Sequence, residues 1–283
     1  MSPPVVPEPW DRCPLQRLST VRGVLTDIDD TLTRNGAIEP AAMQALQALQ
    51  AAGVPVLAIT GRPLGWSEAF AMQRPVGAVV AENGAVALWR DGERLHVEYA
   101  QDDATRAHNA QRLRHVAQRV LHEVPGATLS RDSGGRHTDI AIDHSEFVRL
   151  GDTQIAQVVR VMRDEGMRAT VSSIHINGWF GEHSKLSGAR WIVQRRLGRL
   201  LDDERQRWVY VGDSTNDQAM FGHFPLSVGV ANLRQFAAQL HTWPAYITAS
   251  ERGAGFAEVA QRVLDARPGT HAANDGDGLM ARG

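Results

Sequence analysis

The chain has 283 residues, 43% of them hydrophobic, with 30 basic against 32 acidic side chains and a formal net charge of −2. That length suits one large domain or two modest ones, and the balanced charge gives no support to nucleic acid or an anionic membrane as the main partner. A single cysteine, Cys13, leaves no intrachain disulfide and no Cys/His zinc pattern. The first residues lack a basic segment followed by an apolar core, and no apolar run nears the ~20 residues of a membrane span, so a soluble cytoplasmic protein is expected.

Residues 1–20, rich in proline and polar groups, read as an irregular lead. The apolar run at Val24 and Leu25, with Ile28 nearby, predicts a buried parallel strand over 24–27. Residues 39–52 carry Met43, Leu46 and Leu49 on one face, with Pro40 at the first turn and Gly53 as the stop, which predicts a helix. A second buried strand over 54–60, a short helix over 66–73 and a third strand over 77–80 complete a βαβαβ series, the signature of a parallel sheet.

From about residue 85 to 179 the pattern changes. VALWR and RLHVEYA predict an antiparallel hairpin around Asp91-Gly92. A long helix over 103–123 follows, on Leu113, Val116, Val120 and Leu121, then a strand over 138–144, a helix over 154–165 and a strand over 169–176. Together these predict an inserted α+β unit over 87–182. The parallel pattern resumes after Lys185, with helix 186–197, strand 208–213, a helix from 217, strand 226–230, helix 233–240, strand 245–248 and helix 256–264. The expected fold is α/β, a parallel-sheet core over 21–86 and 183–266 interrupted by the insertion. From 267 onward the chain has little to bury and reads as a disordered tail.

Three predicted strands end in reactive side chains: Asp27 with Asp29, Thr60, and Asp213. In an open α/β sheet the ligand crevice lies outside the carboxyl ends of the strands, so these residues are expected to converge. Asp27 and Asp29 point the same way along an extended segment, and like charges that close need a cation between them. Asp217 follows Asp213 by four positions, with Gly212 permitting a tight approach. Hard carboxylate oxygens of this kind suit Mg²⁺. One carboxylate on the metal can attack phosphorus in line, and the other can serve the leaving alcohol and then water as acid and base. Lys185 and Thr60, the latter with Gly61 and Arg62 behind it, can hold phosphate oxygens.

LTDIDDTLT, AITGRP, the lone Lys185 and VGDSTND resemble, in order, the four motifs of the haloacid dehalogenase superfamily of phosphatases. The resemblance covers residues 22–86 and 185–264 and implies a Rossmann-like core. It implies Asp27 as nucleophile and Asp29 as general acid/base. Thr60 would bind phosphate and Lys185 would bridge nucleophile and phosphate. Asp213 and Asp217 would hold Mg²⁺, the backbone carbonyl of Asp29 would complete the metal shell, and Asn216 would orient the acidic loop. The insertion resembles the α+β cap of the Cof-like, type IIB subgroup, and the stretch 172–188 looks most like its sugar-phosphatase branch. Many relatives carry an acidic residue just before the lysine; this chain has Ser184.

In the insertion, His175, Asn177 and Trp179 share one face of an extended segment leading to Lys185 and are expected to line a sugar pocket. Arg131, Asp132, Arg136, Asp139 and Asp143 are further candidates there, Asp139 and Asp143 more simply as strand-end hydrogen bonders. Asp30 and Thr31 read as loop-shaping residues, and His108, His115 and His122, seven apart, as a solvated helix face. The expected activity is Mg²⁺-dependent hydrolysis of a phosphorylated sugar or similar polyol through an aspartyl phosphate. A phosphomutase on the same fold is the alternative. A dehalogenase would not need Asp29, and a non-catalytic sugar-binding regulator would not need every motif acid.

Overall fold

The computed structural model describes residues 6–267; the expected tail beyond Arg267 lies outside the described residues. In chain order the strands are β1 (Glu8–Pro9), β2 (Gly23–Thr26), β3 (Thr33–Arg34), β4 (Ala37–Ile38), β5 (Val56–Ile59), β6 (Ala78–Ala81), β7 (Val86–Asp91), β8 (Arg94–Tyr99), β9 (Thr128–Leu129), β10 (Asp139–Asp143), β11 (Arg168–Val171), β12 (His175–Trp179), β13 (Trp208–Gly212), β14 (Leu226–Gly229) and β15 (Tyr246–Ile247). The helices are α1 (Leu15–Leu18), α2 (Pro40–Ala51), α3 (Leu64–Gln73), α4 (Asp103–Glu123), α5 (Asp152–Asp164), α6 (Lys185–Leu197), α7 (Gln218–His223) and α8 (Arg252–Asp265).

Among the described residues, one nine-stranded sheet runs β1-β15-β14-β13-β2-β5-β6-β7-β8, and a separate four-stranded sheet runs β11-β12-β10-β9. The large sheet is parallel from β1 to β6. Its strands are apolar on both faces because helices cover both. Val24, Val56, Val79 and Val211 pack with Leu46, Leu49, Phe256 and Val259 of α2 and α8, whereas Leu25, Leu57, Val80 and Tyr210 pack with Ile192 and Val193 of α6. The smaller sheet has its own core, in which Ile140, Ile142 and Ile176 meet Leu113, Val116 and Val120 of α4 and Val158 and Met162 of α5.

Several expectations need correction. The lead over 1–20 is not loose where it is described: β1 adds to β15, and Trp10, Cys13 and Leu18 are buried in the main core. Trp10 meets Tyr246 edge-on with ring centroids 5.4 Å apart, so an aromatic among prolines marked a packed edge. The hairpin β7–β8 belongs to the large sheet and not to the insertion, because β7 pairs with β6 and sends Val86 and Leu88 to one face of the core and Ala87 and Trp89 to the other. The chain therefore leaves the core sheet after Tyr99, not at 87. The single strand expected over 169–176 is two, since the Ser172 hydroxyl accepts from the backbone N–H of His175 at 3.0 Å and turns the chain back. The helix expected over 233–240 is a 3₁₀ turn, Ala231–Phe236.

Candidate active site

The register of the sheet fixes where the acids meet. Thr26 pairs with Val211 on one side and Ala58 on the other, so β13, β2 and β5 end side by side and present Asp213, Asp27 and Thr60 at one edge. The backbone N–H of Asp27 donates to the Val211 carbonyl at 2.9 Å, which carries the ladder one residue past the strand.

Asp27, Asp213 and Asp217 are buried and offer oxygens that all lie within 4.8 Å of one another. Lys185 sits on them, its Nζ 2.6 Å from Asp27 Oδ1 and 2.7 Å from Asp217 Oδ1. Asn216 Oδ1 accepts from the same ammonium at 3.4 Å. Asp217 is fixed further by the backbone N–H groups of Asp213 and Ser214, at 2.9 and 3.2 Å, and by the Tyr210 hydroxyl. A Cβ on Gly212 would stand 2.4 Å from Asp217 Oδ2, so only glycine permits this turn.

The charge balance of the trio is incomplete. Burial pushes Asp27 up to about 7, against the pull of Lys185, with Asp217 and Asp29 pushing the same way as burial. Burial, then Asp27 and Asp217, drives Asp213 well above the usual carboxylate range. Burial would lower Lys185, but Asp217 and Asp27 carry it above its ordinary value. Asp213 Oδ1 is buried without a hydrogen-bond partner, which a native site does not leave uncompensated without reason. Its neighbours are hard oxygens, and one ammonium faces three carboxylates, so the residues fit a small divalent cation.

Local structure explains how Lys185 arrives there. Ser184 caps α6: its hydroxyl accepts from the Ser187 N–H at 3.2 Å, and Ser187 Oγ accepts from the Ser184 N–H at 2.8 Å. The serine before the lysine thus has a role of its own as the helix cap. The helix start lies directly on the turn after β6. Gly84 has a φ of +110° there, and a Cβ would stand 2.1 Å from the Ser184 carbonyl.

Thr60 is buried, and its hydroxyl accepts from the backbone N–H of Arg62 at 3.1 Å. The Gly61 carbonyl accepts from Arg136 at 2.9 Å and from Asn177 at 3.4 Å, both from the insertion. Arg62 is the hub between the two layers. It holds both oxygens of Asp29 through Nε at 3.0 Å, Asp132 at 3.2 Å and Glu146 at 2.9 Å. The Asp29 side chain is thus held by Arg62, and among the described residues the carboxylates that gather are those of Asp27, Asp213 and Asp217, the metal role expected of Asp29 being that of its backbone carbonyl.

His175, Asn177 and Trp179 are all buried, and none lines the large cleft between the layers, so their expected place on its wall is revised. Of the three, Asn177 reaches the core loop, at the Gly61 carbonyl. His175 pairs with Glu146 at 2.8 Å, Asn177 reaches Asp139 at 3.1 Å, and the Trp179 indole donates to the His183 carbonyl at 3.0 Å. Asp139 also holds Arg136, and Asp143 accepts three backbone N–H groups of the following turn. Arg131 stacks on Phe147. Asp30 pairs with Arg252 at 2.8 Å, and the Thr31 hydroxyl is buried without a partner. His108, His115 and His122 are exposed along α4.

Sequence reasoning missed Tyr210, Asn232, Glu82 and Glu146. Asn232 donates to the Asp30 carbonyl at 2.9 Å and reaches Asp213 Oδ2 at 3.4 Å. Glu82 accepts from the backbone N–H groups of Leu64, His137 and Thr138, tying α3 to the insertion. The one advance signal was a glutamate inside the otherwise apolar stretch at the end of β6.

A family profile for haloacid dehalogenase-like hydrolases matches residues 24–146. The chain is 26% identical over 250 residues to a phosphoglycolate phosphatase of Methanothermobacter thermautotrophicus, covering 86% of this chain and 99% of that one. Its fold is similar to that of the sucrose-phosphatase of Synechocystis solved with sucrose and phosphate (TM-score 0.61, 16% identity, 86% of this chain and 98% of that one). It is also similar to the C-terminal domain of a C. albicans trehalose-6-phosphate phosphatase (TM-score 0.63, 14% identity, 93% and 98%). With its motif acids gathered at the carboxyl edge of a parallel sheet and the profile matched across the first two motifs, the chain is similar to the haloacid dehalogenase-like hydrolases.

Proposed function

We propose that this enzyme is a Mg²⁺-dependent phosphomonoesterase that acts in the cytoplasm on a sugar phosphate or similar small phosphorylated polyol. The observation that carries the reading is the buried trio Asp27, Asp213 and Asp217 under a single ammonium, with one oxygen of Asp213 left unpaired. Asp27, Asp213 and Asp217 would hold the ion, which when bound polarises the phosphoryl oxygens.

The chain's own residues supply the rest. Asp27 attacks phosphorus and becomes an aspartyl phosphate as the ester oxygen leaves. Lys185 keeps the Asp27 carboxylate oriented and offsets charge that develops on the phosphoryl oxygens. Asp29, two residues on and steadied by Arg62, gives a proton to the leaving alcohol and then takes one from the hydrolytic water. Thr60 contributes its hydroxyl to phosphate binding, and Asn216 and Tyr210 keep Lys185 and Asp217 in register.

The test is phosphate release from a panel of hexose phosphates, glycerol phosphate, phosphoglycolate and p-nitrophenyl phosphate, with Mg²⁺ and with a chelator. Release that needs the metal is expected. A protein inert toward every ester, or equally active in chelator, would overturn the reading.

A further inference from the structure

The two ends of the nine-stranded sheet are finished differently. β1 closes one end with two residues, and Pro9 has no N–H to offer a further strand. β8 closes the other with six residues, about 20 Å of backbone, and contains no proline. Asp91 and Arg94 flank a two-residue turn, and the Ala100 N–H donates to the Ala85 carbonyl at 2.8 Å. By antiparallel alternation Arg94, His96 and Glu98 bond to β7, whereas Leu95, Val97 and Tyr99 turn their N–H and C=O groups outward. Among the described residues no strand takes them up. β11, an edge of the smaller sheet, is by contrast covered at Val171, whose carbonyl accepts from the Thr215 hydroxyl at 2.6 Å.

The side chains of β8 suit a further strand. Leu95, Val97 and Tyr99 pack against the core on one face of the sheet, and Trp191 of α6 packs against it on the other. A cavity of about 850 Å³ lined by Val97, Tyr99 and Trp191 therefore opens off the edge itself. The charges are complementary to themselves. Glu98 is held by Arg195 at 2.7 Å, and Arg94 has no ion pair among the described residues. In an antiparallel pairing about a two-fold axis at His96, Arg94 falls opposite Glu98 of the second copy and Leu95 opposite its Val97, each twice over. Leu95 and Val97 then exchange their outward N–H···O=C bonds. Arg94 and Glu98 take the intervening positions, where side chains across a ladder come closest.

We infer that β8 is the interface of a two-fold dimer, in which the large sheets of two copies of this chain join edge to edge through Leu95 and Val97, with the register set by Arg94 against Glu98. A second copy is the occupant because a strand whose charges match their own two-fold image meets that match only in itself. Glu93 of the second copy falls opposite Tyr99, whose ring carries the Arg106 guanidinium at 3.6 Å, so the ends of the paired strands also meet with opposite charge.

The experiment is sedimentation velocity on the full chain at tens of micromolar, with thermal unfolding to show that each variant is folded. The wild type should sediment at twice the monomer mass. Arg94→Glu and Glu98→Arg each set like charges opposite one another in both pairs and should weaken association by about tenfold or more. Mixed in equal amounts, these two variants regain both opposite-charge pairs and should reassociate as a heterodimer. Val97→Pro removes an outward N–H but no bond to β7, so it should leave a folded monomer. A wild type that stays monomeric overturns the inference. So does a dimer unmoved by all three substitutions, or a mixture of the two charge variants that associates no better than either alone.

Discussion

Asp27 is held near neutrality by burial and by acids on two sides, and it is still pinned by Lys185 at 2.6 Å. Asp27→Asn keeps the shape and the hydrogen bond to Lys185 but removes the nucleophilic oxygen. Phosphate release should fall by about a thousandfold or more, while thermal unfolding shows a folded protein. Turnover within about tenfold of the wild type would refute the assignment. At this scale the sequence was legible where a residue's position follows from its place at a strand end. Asp27, Thr60, Asp213, Asp217 and Gly212 all sit where strand-end reasoning put them. Tyr210 and Asn232 were illegible because their roles are defined by partners. A tyrosine inside an apolar strand reads as core until the loop after that strand folds back and puts Asp217 over its hydroxyl.

The elements show the same division. Strands β2, β5, β6 and β13 were readable as continuous apolar runs because a parallel strand between two helical layers has no polar face. The hairpin β7–β8 was readable as a hairpin, but not which sheet it joins, since alternation fixes faces and turns but not the neighbour across the ladder. The segment around Trp10 was misjudged because proline content suggested a loose end, whereas Trp10 is buried with its indole donating to the Glu258 carbonyl at 3.3 Å. Trp10→Ala should therefore cost about 3–5 kcal/mol of stability, read as a lower denaturation midpoint in urea. A midpoint within experimental scatter of the wild type would mean that β1 and the following turn are dispensable.

For the whole molecule, the joint between the layers is electrostatic and its acids set a pH dependence. Burial would raise Asp132, but Arg136, the Ser130 hydroxyl, His175 and Arg62 outweigh it and bring it below its ordinary 3.8. Burial would likewise raise Glu146, and its bond to His175 together with Arg62 brings it below 4.5. Groups with depressed values stabilise the folded form above their ordinary values, and that stabilisation is lost as pH falls through the lowered ones. Asp27 and Asp139, raised by burial to about 7 and about 6, act in the opposite sense as pH falls from neutrality. The clean readout is therefore a difference. The stability gap between the wild type and Glu146→Gln should hold from neutral pH to about pH 5 and shrink below it. A gap that stays constant or widens toward pH 3 would remove Glu146 from the joint.

Composition, apolar runs and strand-end acids were enough to determine an α/β sheet with a metal-fitting acidic edge, because these features are written in consecutive residues and in a topology with few solutions. Only the tertiary structure decided which side chains serve that edge from outside it. Arg62 bridging Asp29 to Asp132 and Glu146, Ser184 capping the helix that delivers Lys185, and His175, Asn177 and Trp179 packed inward instead of onto the cleft all depend on how the inserted layer settles on the core. That docking is set by contacts between residues tens of positions apart, for which a linear pattern carries no period and no signal.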